Sequence, residues 1–122
     1  MPRDTATAFQ EFALESVGQS LRTIVVVFEA DFEVEYLRDD LKDRYSATEY
    51  GDIVETFRTV PDVNEEFPGE HSIGPRRCLI HYHQNAFVFQ FPHEGCHSIL
   101  LSVEPTVGSR LEDFIIECQE RI

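Results

Sequence analysis

The stretch CLIHYHQNAFVFQF, residues 78–91, decides the fold. It contains two apolar-rich runs that meet at Gln84-Asn85, a pair suited to the tip of a tight hairpin. With those two residues at the tip, His83 faces Ala86, His81 faces Val88 and Leu79 faces Gln90. The alternate residues, Cys78, Ile80 and Tyr82, then face Phe91, Phe89 and Phe87. That second set is almost wholly apolar and reads as core. Ser98–Val103 sorts the same way, with Ile99, Leu101 and Val103 on one side and Ser98, Leu100 and Ser102 on the other. The spacing predicts strands over 76–83, 86–91 and 98–103, joined by short connections into an antiparallel meander. One face is apolar. The other is mixed, carrying Leu79, His81, His83, Val88, Gln90, Ser98, Leu100 and Ser102. Two readings of the mixed face stand side by side: a half-exposed outer surface partly covered by a helix, or a docking surface for a partner or a second copy.

Upstream, LRTIVVVFE (21–29) is β-branched and apolar on both sides, as a strand near the middle of a sheet is. DFEVEYLRDDLKD (31–43) places Phe32, Tyr36, Leu37 and Leu41 at helical spacing behind a capping Asp31, which predicts a helix. Ser46-x-x-Glu49 is a capping box, followed by Tyr50, Ile53, Val54, Phe57 and Val60 on one helical face, with Pro61 ending the run. Residues 61–75 read as a long loop. At the N-terminus Thr7-x-x-Gln10 resembles a cap within a helix over 5–17. At the C-terminus Ser109-x-x-Glu112 introduces a helix with apolar positions Leu111, Phe114, Ile115, Cys118 and Ile122. The expected architecture is a single α+β domain over residues 1–122. Its elements run α-β-α-α-β-β-β-α, with a mainly antiparallel four-stranded sheet flanked by helices.

Charge bounds the habitat. The chain of 122 residues carries 23 acidic and 10 basic side chains, for a net charge of −13. Lys42 is its only lysine. Such self-repulsion favours expansion in dilute buffer. In molar salt the Debye length falls to about 3 Å and the repulsion collapses. A carboxylate surplus with almost no lysine therefore reads as adaptation to a salty cytoplasm, with high monovalent salt needed for stability. No basic stripe points to nucleic acid. No apolar run approaches the roughly 20 residues of a membrane span. Three cysteines without a CxxC motif fit reduced thiols and a cytoplasmic location.

The histidines raise the question of a metal. His81 and His83 share a face. His93, Cys96 and His97 lie in the next loop, on the order of 17 Å away along the strand. A ligand set of His93, Cys96 and His97 lacks the fourth donor of a closed zinc site, and no second pair has ligand spacing. Cys96 has no readable base held by a third group. No phosphate loop or dinucleotide fingerprint occurs. No cofactor and no catalysis are therefore expected.

DFEVEYLRDDL (31–41), behind the strand LRTIVVVFE, resembles a group of small haloarchaeal proteins of unknown function that share a D-F-E-x-x-Y-L-R-D-D-L stretch. The resemblance implies a halophilic source and no activity. It leaves two readings of the motif: surface pairs Glu35–Arg38 and Asp40–Arg44, or contact of Tyr36, Arg38 and Asp39 with a partner. The order of elements is similar to roadblock-type or PAS/profilin-like domains. Roadblock-like domains serve as dimeric scaffolds, but this sequence shows a helix where that fold has its second strand. The expectation is a cytoplasmic interaction or regulatory module that docks a protein partner or forms a homodimer. The partner surface would be Leu79, His81, His83, Val88, Gln90, Tyr36, Arg38 and Asp39. The alternative is a small-ligand or metal-binding protein using the His/Cys cluster at 81–97.

Overall fold

The computed structural model describes residues 1–59, 74 and 76–121. Its centre is β1, Leu21–Val27, in which every residue except Thr23 is buried. Six of its seven residues pair with β5, Ser98–Val103, on one side. On the other side β1 pairs with β2, Phe32–Leu37. The hairpin of β3, Leu79–His83, and β4, Ala86–Phe91, completes a five-stranded sheet in the order β2-β1-β5-β4-β3. All neighbouring strands are antiparallel. The hairpin register is the expected one, with His83 opposite Ala86, His81 opposite Val88 and Leu79 opposite Gln90.

The sheet therefore has five strands where four were expected, because residues 32–37 form a strand and not a helix. Only a single helical turn follows, α2, Asp39–Lys42. The reason is a β-bulge. Ile24 pairs with Tyr36 and Val25 with Val34, leaving Glu35 as the extra residue. The bulge turns Tyr36 to the opposite face from Phe32, so Tyr36 joins one core cluster and Phe32 the other. Phe32 and Tyr36 thus stand four apart without helical geometry, and a two-residue alternation is broken in the middle of the strand.

Helices cover both faces. α1, Pro2–Val17, sends Ala6, Phe9, Ala13 and Val17 against Leu21, Ile24, Val26, Phe87, Ile99 and Val103. α4, Ser109–Glu120, adds Ile115 on the same side. α3, Ala47–Arg58, covers the opposite face, packing Val54 and Phe57 on Val25, Val27, Ala86, Val88 and Leu100. Burying each such aliphatic or aromatic side chain contributes about 1.5–3 kcal/mol.

The caps divide. Ser46 is the N-cap of α3, and its Oγ accepts from the Glu49 amide at 3.1 Å. Thr7 is no cap, since α1 starts at Pro2, where the fixed proline φ suits the first turn. Ser109 is not a cap either. Gly108 holds that position, and a Cβ there would lie 3.0 Å from the Phe87 ring. The loop expected over 61–75 lies outside the described residues apart from Gly74.

Candidate functional site

The mixed face of the meander is occupied from within the chain. Gln90 is fully buried, and both its amide donors and its amide oxygen have partners. Its Nε2 donates to the Phe57 carbonyl at 3.1 Å and to Ser98 Oγ at 3.0 Å. Its Oε1 accepts from His81 Nε2 at 2.9 Å. Ser98 Oγ also meets His97 Nδ1 at 3.0 Å. A buried amide left unpaired would cost about 1–3 kcal/mol, and this network removes that cost. The His81 ring stands edge-on to Phe57, with centroids 4.9 Å apart. Of the expected partner surface, Val88 and Gln90 are thus covered by α3. Leu79 and His81 are half-buried, and His83 is exposed at the hairpin end.

Tyr36, Arg38 and Asp39 come together elsewhere, lining an open depression along β2 with Gln19, Leu37 and Lys42. Arg38 is heavily engaged there. It pairs with Asp40, donates to the Gln19 carbonyl at 2.8 Å and lies 2.7 Å from Glu104. Its bond to Asp40, joined by that to Glu104, raises its pKa further above the usual arginine value. Lys42 pairs with Asp39 at 2.9 Å. The motif Tyr36–Asp40 therefore clasps the turn between β2 and α2.

His93, Cys96 and His97 seat the N-terminus of α1. His93 Nε2 meets Thr5 Oγ1 at 2.8 Å, while its Nδ1 donates to the Glu94 carbonyl at 2.6 Å. Gly95, with φ of 85°, lets the loop turn tightly 3.3 Å from Pro2, measured from the Cβ position it leaves empty. The His97 amide donates to the Val27 carbonyl at 2.8 Å. Cys96 packs against the core, and burial pushes its thiol pKa up, away from the thiolate that nucleophilic chemistry requires. Among the described residues no three His, Cys, Asp or Glu side chains converge as a metal-binding group.

A different site emerges between α3 and the sheet. It is a half-enclosed cleft of about 370 Å³, walled by Val25, Val54, Phe57, Val88 and Leu100. Arg22 lines its polar end and is only 7% exposed. Its Nη2 reaches Tyr45 Oη at 3.4 Å, and its Nη1 stands 3.6 Å from Glu104. Both separations are long, and Glu104 lies closer to Arg38, at 2.7 Å. Tyr50 stands beside them. Burial pushes its phenol up to about 12, against opposing pulls from Thr23 and Arg22. Sequence reasoning missed this cleft. Its one signal was Arg22 itself, a charged residue inside an otherwise buried strand.

The edges of the sheet differ as well. On β2, Glu33 is held by Arg3 at 2.6 Å and Glu35 by the Thr7 hydroxyl at 2.9 Å. On β3 the side chains are Leu79, Ile80, His81, Tyr82 and His83, and Ile80 is 51% exposed.

Among the described residues no helix is long and apolar enough to cross a membrane. No curated protein and no solved structure matches the chain. A family model does match, over residues 7–122, and by that match the chain belongs to the domain of unknown function family DUF7522.

Proposed function

We propose that the chain is a non-catalytic interaction module of a salt-rich cytoplasm that pairs with a second copy of itself through β3. The contrast between the two sheet edges carries this reading. An edge strand presents unpaired N–H and C=O groups, and proteins guard such edges with charge when pairing is unwanted. β2 carries that guard in Glu33 and Glu35. β3 carries neither acid nor arginine nor lysine. In a chain of net charge −13, two copies meet at least electrostatic cost where carboxylates are sparse. Two β3 strands pairing antiparallel about a two-fold axis would merge two five-stranded sheets into one. α4 touches β3 through the Tyr82–Glu112 hydrogen bond, and it leaves Leu111 and Phe114 exposed, the latter at 64%. With Ile80 they supply an apolar margin to the strand contact.

The strand β2 also supports the likeness to roadblock-type dimeric scaffolds, since a second strand stands where the sequence predicted a helix. The carboxylate excess supports a halophilic setting, in which counterions screen two approaching acidic bodies. Light scattering of the native chain in molar KCl tests the reading. The expected result is a dimer that Ile80→Glu converts to a folded monomer. A native chain that is monomeric at all salt concentrations removes it.

A further inference from the structure

We infer that the cleft beneath α3 binds a small organic monocarboxylate with an apolar body one ring in size, anchored on Arg22. This goes beyond the pairing of β3, because a monomer could hold the ligand equally well.

Arg22 is the starting point. A guanidinium withdrawn from water needs short charge-assisted bonds to offset its desolvation. Among the described residues its side-chain partners are Tyr45 Oη at 3.4 Å and Glu104 at 3.6 Å, neither of them a short charge-assisted bond. Glu104 stands nearer to Arg38, at 2.7 Å. A carboxylate entering the cleft would supply the planar two-oxygen acceptor that a guanidinium fork matches.

The rest of the cleft suits the rest of such a molecule. Tyr50 stays protonated at any ordinary pH and so remains a neutral hydroxyl donor. Thr23 and Ser102, whose hydroxyls share a hydrogen bond, form a small polar floor. The remaining wall is mostly aliphatic and aromatic, with Thr56, His83 and Asn85 as its other polar members. The volume of about 370 Å³ sits near the lower end of the roughly 300–1,000 Å³ usual for ligand pockets. Arg22 is the sole arginine or lysine among the lining residues. A single cation suits a monoanion better than a phosphate.

The experiment follows backbone amide shifts of the full chain in molar KCl during titration with phenylacetate, hexanoate, phenylacetamide and inorganic phosphate. The expected result is saturable shifts at Thr23, Val54 and Ser102 with at least one carboxylate, about tenfold tighter than with the amide. Arg22→Gln should erase that preference. The acid–amide contrast is read on the native chain, so it decides the matter even if Arg22→Gln fails to fold. Absence of saturable shifts with both carboxylates overturns the inference. So does amide binding as tight as acid binding, or phosphate producing the same shifts with equal strength.

Discussion

The two faces of the sheet solve the problem of burial differently. Beneath α1 and α4 the strands present Ile80, Tyr82, Phe87, Phe89, Ile99 and Leu101, an almost unbroken apolar surface. Yet that face is incompletely closed, since Ile80 is 51% exposed and no residue of α4 is fully buried. Beneath α3 the strands present Val88, Gln90, Ser98, Leu100 and Ser102, all of them buried although three are polar. An apolar pattern thus marks a face that needs cover without saying how much it receives. A mixed pattern can bury its polar residues when hydrogen bonds close within it.

Three measurements sharpen or break that comparison. The largest effect belongs to the apolar face. Phe87 is 1% exposed, stacks on Tyr82 with centroids 4.7 Å apart and abuts Gly108. Phe87→Ala should cost about 3–5 kcal/mol in denaturant unfolding performed in molar KCl. The polar face should lose less. Gln90→Ala removes partners from the His81 ring N–H, Ser98 Oγ and the Phe57 carbonyl, and about 2–3 kcal/mol is expected. If Gln90→Ala proves neutral, the network fills space without holding α3, and the contrast between the faces fails.

The smallest effect is confined to alkaline pH. The Tyr50 phenol is raised from its ordinary 10.0 to about 12 by burial. Its contribution to stability is complete below pH 10, the unfolded value. It declines as pH rises towards 12, because the unfolded chain ionises first. Phenolate absorbance should show Tyr50 titrating after exposed tyrosine, with the unfolding midpoint falling through the same window. An early titration would mean that α3 does not shield its side of the sheet.

The parts of the fold that were legible are those governed by near neighbours. Alternation about Gln84-Asn85 specified the β3–β4 register, and Ser46-x-x-Glu49 specified the start of α3. β2 was illegible because Glu35 is bulged, which places Phe32 and Tyr36 on opposite faces while keeping them four residues apart. The start of α1 was illegible because the loop holding it, through His93 and Thr5, lies 88 residues away in sequence. The candidate cleft went unseen for the same kind of reason. Arg22, Tyr50 and Phe57 meet only once α3 lies across β1.

The sequence by itself determined the periodicities, the hairpin register, the α3 cap and the acidic surface, since each depends on residues within a turn or two of one another or on composition alone. Only the tertiary structure decided that α3 covers the mixed face, that β2 and β3 are the two edge strands of the sheet, and that Glu104 favours Arg38 over Arg22. Those outcomes are competitions between distant groups for one partner. Distance and burial settle such competitions, and neither is written in local order.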